Sequence, residues 1–219
     1  MLLADARLPV AGHTQSAGLE PAIAHGLSAD EVPGYCRTRL AGVTLVEAAV
    51  AVVACRTLTE SGGAPHALKL VTIEQAWAAR TPSDAMRTTS RTLARGLLRL
   101  ATRLWPDAPA VQCVAATRQP SRAVVLGAIA STVGLPARSL ARLVGYDDVQ
   151  TVAAAALKLL PLDPAATTAW VWHLLPDIDH LADRVADLAD PDEIPAPSAP
   201  QIESWAQAHA RTTRRLFSA

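Results

Sequence analysis

One serine near the beginning of the chain has the neighbours of a candidate nucleophile. Ser16 lies between Gly12 and Gly18, and His13 precedes it by three residues. A hydrolase nucleophile of the G-x-S-x-G type needs a strained turn between a strand and a helix. Here the spacing is G-x-x-x-S-x-G and no strand pattern precedes it. We therefore expect a shaped loop in which Ser16 satisfies backbone groups, and a serine hydrolase stays a remote alternative.

A second constellation has the spacing of metal ligands on one helix face: His173, Asp177 and His180. Pro176 interrupts the segment and should kink or split the helix there. The chain also lacks a CxxC pair, because its three cysteines, Cys36, Cys55 and Cys113, are far apart. This pattern argues against a zinc site and a disulfide framework. We predict no metal site.

Nucleotide and nucleic-acid sites are also disfavoured. No G-x-x-x-x-G-K-[ST] motif occurs, so we expect no P-loop and no bound cofactor. Lysines and arginines balance acidic residues at 20 each, and only 4% of residues are aromatic. A neutral chain has no general attraction for nucleic acid or for an anionic membrane.

The sequence favours a cytoplasmic location. The start of the chain lacks the basic region of a signal peptide. The most apolar run, Val43 to Cys55, is too short to span a bilayer and contains Glu47. We expect no membrane segment and a reducing compartment.

Helix signals dominate the elements that must position these residues. Asp30 is a candidate N-cap for a long helix ending near Glu60, and Ser83 and Asp163 are N-cap candidates for two later helices. Other helices are expected over 66–80, 121–133, 137–144 and 147–160. Residues 191–200 are rich in proline, which indicates a linker before a short helix. The sequence thus predicts an all-α fold with roughly eight to ten helices in one bundle-like domain (1–190), the linker (191–200) and a C-terminal tail (201–219).

The predicted helix after Ser83 carries an arginine row at every fourth position, Arg91, Arg95, Arg99 and Arg103. Leucines at helical spacing mark another face of the same helix. Such a row is usually a solvated face, and a surface for an acidic partner is the alternative.

Four segments, in order along nearly the whole chain, resemble the UreF family of urease accessory proteins. The first is "LLADARLPVAGHTQSAGLE", with Pro9, Gly12, His13, Ser16, Gly18, Leu19 and Glu20. The others are an acid-x-x-R-x-x-S segment with Arg87, a basic-L-x-P-L segment with Lys158 and Pro161, and an ending with His209, Arg215, Leu216 and Phe217. Departures such as Asp163-Pro164 look like an actinobacterial-type variant.

The resemblance implies a fold, a homodimer and a role. Family members are all-α, and they bridge the accessory protein UreD (also called UreH) and the GTPase UreG for GTP-dependent nickel insertion into apo-urease. The resemblance thus implies a non-catalytic scaffold whose partner-contact residues lie in the four segments. The alternative is an enzyme-like regulator, a GTPase-activating or gating factor of UreG, that supplies a polar group in trans. Since the tail carries apolar residues beyond a linker, we expect it to be mobile until UreD orders it. The alternative is that it docks on its own domain, as terminal helices often do.

Overall fold

The computed structural model describes residues 14–60, 66–213 and 216–217. Within these ranges the chain forms α-helices and no β-strand, which confirms the all-α prediction. Four of the residues singled out in the sequence lie outside the described ranges: Pro9, Gly12, His13 and Arg215.

Eleven α-helices are present in the described residues. They are α1 (Leu19–Ala24), α2 (Val32–Ala41), α3 (Val43–Glu60), α4 (His66–Ala79), α5 (Asp84–Leu104), α6 (Pro109–Ala115), α7 (Arg122–Val133), α8 (Ala137–Leu159), α9 (Pro164–His173), α10 (Leu175–Val185) and α11 (Pro200–His209). Single 3-10 turns lie at Ala29–Glu31 and Pro191–Glu193.

Helix α3 is the centre of the fold. It is rich in alanine and valine and packs against α2, α4, α7, α8 and α10. The contact with α7 is closest at Gly127, where a Cβ would lie 2.7 Å from the Ala51 carbonyl oxygen. Small side chains on both helices therefore set the tight spacing of the core.

The stretch Ala29–Glu60 is long and apolar enough, by length and composition alone, to cross a membrane. Most of its apolar window is buried among the other helices, as expected of a core helix. The stretch also changes direction at Gly42, between α2 and α3.

Helix starts were predicted better than helix interiors. The side chains of Ser83 and Asp163 accept N-cap hydrogen bonds from Met86 and Ala165 as expected, and Pro176 separates α9 from α10. Two predictions were wrong. Residues Ala137–Leu159 form one helix, because Gly145 stays helical where the Ile178 side chain packs against it. The long helix from Asp30 breaks at Gly42, and Glu31, not Asp30, precedes α2.

The described residues after Asp190 (191–213 and 216–217) pack against the rest of the domain. Ile194 and Ala199 are buried, and Arg80 Nε donates a hydrogen bond to the Ile194 carbonyl. Helix α11 then packs against α1 and α5. We expected a detached terminal segment, but its apolar residues Ile202 and Phe217 are instead buried on the same domain.

Candidate functional site

The site begins at the loop before α1. Gly18 adopts a φ of 78°, a left-handed conformation that favours glycine. A Cβ at Gly18 would lie 2.8 Å from Tyr35 Oη, and that hydroxyl donates a 2.8 Å hydrogen bond to the Ala17 carbonyl. Ser16 Oγ accepts a hydrogen bond from the Glu20 backbone N–H at 3.3 Å. The loop is therefore fixed, and Ser16 has the backbone-capping role predicted from the sequence.

Glu20, in the first turn of α1, binds the end of the chain. Its Oε1 accepts from the Leu216 N–H at 2.6 Å, and its Oε2 accepts from the Phe217 N–H at 2.9 Å. His209 Nε2 lies 3.2 Å from the same Oε2, a close contact without hydrogen-bond geometry. Hydrogen bonds to an ionised carboxylate are stronger than neutral ones. Residues almost 200 positions apart in the sequence thus meet at one side chain.

Phe217 extends this cluster to α8. Its side chain is 4% exposed, and the Lys158 ammonium lies 5.1 Å from the ring centroid in cation–π geometry. Leu216 remains 63% exposed. We call Glu20, Lys158, His209, Leu216 and Phe217 the terminal cluster.

The structure places the other predicted residues in different settings. Leu19 is fully buried and Ser16 almost so, which leaves them a supporting role behind the surface. Pro161 is exposed just after α8. Arg87 lies on α5, where it donates to the Thr81 and Pro82 carbonyls and pairs with Asp84. Arg87 therefore fixes the turn before α5 and does not belong to the terminal cluster.

Behind the terminal cluster lies a cavity of about 170 Å³. The loop around Ser16, helix α5 and residues Ile202, Ala206 and His209 of α11 form its outer walls. Its inner wall carries two buried or half-buried ion pairs. Helix α11 thus forms part of the wall of a charged cavity that is partly open to solvent.

The first ion pair is bidentate. Arg39 Nε and Nη2 donate to the two Asp148 oxygens at 2.9 and 2.6 Å, and Thr44 Oγ1 donates to Asp148 at 2.9 Å. Burial is the largest single influence on Arg39 and acts to lower its pKa, but the charges and hydrogen bonds of Asp148 and Tyr35 together raise that pKa above its usual value. The guanidinium is therefore permanently charged and locks α2 to α8.

The second pair and a nearby acid complete the cavity wall. Arg122 Nη2 donates to Asp147 Oδ2 at 2.7 Å, which joins α7 to α8. Glu47 Oε1 accepts from Trp77 Nε1 at 2.7 Å, and burial raises the pKa of this carboxyl above its usual value. Each of these charged groups already has a partner within the fold, so we infer that the cavity wall stabilises the fold.

No catalytic arrangement emerges from the described residues. The hydrogen bond of Ser16 Oγ runs to the Glu20 backbone, with no histidine as partner. His173 ends α9 while Asp177 lies on α10, where it pairs with Arg37. Within the described ranges, no group of three or more histidine, cysteine, aspartate or glutamate residues could hold a metal ion.

Sequence reasoning missed several residues that build the site. Tyr35 holds the loop at Ala17 through its hydroxyl, and its ring lies 6.5 Å from that of Trp205. Arg39 and Asp148 are 109 positions apart and belong to no motif. Both helices also contain other charged residues, so a single sequence gives no signal that pairs this arginine with this aspartate.

Comparison with known proteins agrees with this architecture. The UreF family model matches residues 27–175. Over its full length the chain is 34% identical to the urease accessory protein UreF of Mycobacterium sp. (strain JLS) and 35% identical to that of Mycolicibacterium vanbaalenii, covering 96% of each relative. It is 32% identical to the UreF protein of Mycobacterium marinum, again over 100% of this chain and 96% of the relative. The chain belongs to the UreF family of urease accessory proteins.

Proposed function

We propose that this protein is a non-catalytic scaffold of urease maturation. It would bridge UreD (UreH) and the GTPase UreG while nickel is inserted into apo-urease in a GTP-dependent step. The observation that carries this proposal is full-length similarity to relatives named urease accessory protein UreF. The proposal places the protein in the cytoplasm as a homodimer without a cofactor of its own.

We further propose that the terminal cluster and the neighbouring Pro161 form a partner-contact face. Glu20, Lys158 and His209 come from three helices and are joined by the end of the chain. Exposed Leu216 and Pro161 add apolar surface there. Apolar and charged groups together are the usual composition of a protein interface. Ser16, Gly18 and Leu19 support this face from beneath, and Arg87 fixes the turn before α5.

Co-expression tests the scaffold. A tagged chain should co-purify with UreD and UreG and restore urease activity in cells that lack their own UreF. Loss of both results would overturn the proposal. The GTP hydrolysis rate of UreG separates the two functional classes. A scaffold leaves the rate unchanged, whereas a rise on addition of this protein would favour the GTPase-activating alternative.

A further inference from the structure

Helix α5 carries the most one-sided charge of the described helices. It contains five arginines against one aspartate, a net charge of +4, in a protein whose total charge is zero. Arg87 pairs with that aspartate, Asp84, and Arg91 lies 5.7 Å from the Trp77 ring centroid. The three remaining arginines, Arg95, Arg99 and Arg103, are exposed, and we call them the α5 ridge.

The ridge faces away from the core. The buried residues of the helix are Ala85, Ser90, Ala94, Leu97 and Ala101. At 3.6 residues per turn, Arg99 lies about 200° around the helix from Leu97. Its neighbours in the ridge are one turn away on either side, so three guanidinium groups line up in solvent at intervals of roughly 6 Å.

No member of the ridge has an ion-pair partner among the residues that the structure describes. Arg95 donates a hydrogen bond to Thr92. Elsewhere the fold pairs arginines of similar exposure: Arg37, Arg138 and Arg142 each meet an aspartate of α10. Like charges at i and i+4 destabilise a helix. The ridge is thus an uncompensated concentration of positive charge.

An apolar side chain adjoins the ridge. Leu104 follows Arg103 and is 45% exposed, and Trp105 after it is half-buried. Arginine beside apolar surface is typical of protein interfaces. A nucleic acid would use the charges but not Leu104, and the neutral whole molecule gives it no long-range attraction.

We propose that the α5 ridge docks an acidic protein surface of a urease-maturation partner. The inference rests on the proposed function for the identity of that partner. Carboxylates repeated at every fourth position of a helix have the same spacing of roughly 6 Å as the ridge, which allows each arginine one partner. Leu104 would contact apolar surface at one end of the docked helix.

The test compares two triple variants with the same change in net charge. The ridge variant is R95Q/R99Q/R103Q, and the control variant is R37Q/R138Q/R142Q, whose arginines are also exposed but ion-paired. Circular dichroism first establishes that both remain folded. The first probe is a fluorescent helical peptide with glutamate at every fourth position and one terminal leucine, at about 50 and 300 mM salt. The second is pull-down of co-expressed UreD, UreG and apo-urease.

We expect the ridge variant to bind the peptide, and at least one of the three proteins, at least about tenfold more weakly at low salt. The control variant should bind like the wild type, and high salt should remove most of the difference.

Equal binding of every protein by the ridge variant and the wild type would overturn the proposal. The proposal would also be overturned if the ridge variant lost only its binding to duplex DNA, or only its self-association. If the wild type captures none of the three proteins, the proposed function fails, and the peptide alone then decides whether the ridge binds acidic helices.

Discussion

At the scale of single residues, Glu20 joins α1 to residues almost 200 positions later in the sequence. One carboxylate accepts hydrogen bonds from two backbone N–H groups at the other end of the chain. Its side chain is 16% exposed, so water competes only partly for these bonds. The sequence predicted that Glu20 places a charge at the start of a helix. The structure shows that this charge binds residues 216–217.

Glu20→Ala should release residues 216–217. Hydrogen bonds to charged groups contribute about 1.5–3 kcal/mol each, so we expect the free energy of unfolding to fall by about 2–4 kcal/mol after partial replacement by water. Urea denaturation measures this loss, and faster tryptic cleavage at Arg211 reports release of the tail. Asp107→Asn, which changes an exposed acid outside the cluster, is the control. Unchanged cleavage in Glu20→Ala would contradict the assignment.

Two buried groups of α2 should make the protein sensitive to alkali. Burial raises the pKa of Tyr35 to about 12 and that of Cys36 to about 12. Above about pH 9 the unfolded chain loses these protons first, so it binds fewer protons than the folded state. The free energy of unfolding should therefore fall as pH rises, by up to about 1.4 kcal/mol per pH unit for each group.

Urea denaturation between pH 8 and about pH 11 measures that slope. Cys36→Ala should make the slope shallower, whatever it does to stability at neutral pH. An identical slope in the variant would show that Cys36 does not contribute.

At the scale of elements, the contact between α3 and α7 depends on a missing side chain. A Cβ at Gly127 would lie 2.7 Å from the Ala51 oxygen and 2.8 Å from the Ala54 Cβ. The Ala51 oxygen belongs to the backbone of α3, so it cannot move aside as a flexible side chain could. Gly127→Ala should therefore destabilise the protein by about 1–3 kcal/mol, despite the better helix propensity of alanine. Gly34→Ala in α2 meets nothing within 4 Å and should instead be neutral or stabilising by up to about 1 kcal/mol. Thermal melts of both variants check the contrast, and a destabilised Gly34→Ala with a stable Gly127→Ala would refute it.

Elements with local signals were predictable, and contacts between distant elements were not. Ser83, Asp163 and Pro176 act through neighbours in the sequence, and the corresponding helix boundaries were correct. Gly145 looked like a break but is held in α8 by Ile178, which the sequence does not place beside it. Helix α6 was missed because its seven residues show too little periodicity.

The same division holds for the candidate site. Ser16, Gly18 and Glu20 were found because they are contiguous and resemble a family segment. The ion pair of Arg39 with Asp148 was not found, since only folding brings α2 to α8. The docking of the tail was only the less favoured alternative, because the proline-rich segment 191–200 looked like a spacer. In the structure, Ile194 of that segment is buried.

At the scale of the whole molecule, the end of the chain contributes to the stability of the domain. Deleting Arg211–Ala219 removes buried Phe217 and leaves Glu20 without its two backbone donors. Burial of a phenylalanine contributes about 1.5–3 kcal/mol, so the melting temperature should fall by about 3–12 °C. Calorimetry of the truncated and intact chains measures this. An unchanged melting temperature would support a detached tail.

The meeting of Glu20 with residues 216–217 also has a consequence for biosynthesis. A ribosome makes residue 20 almost 200 residues before residue 217, so the acceptor on helix α1 lacks these two donors while the residues between them are made. A nascent or truncated chain that stops before residue 216 lacks the donors that complete the terminal cluster. The intact cluster can therefore form only after residue 217 has been made, and a partner that recognises it would ignore copies that lack residues 216–217.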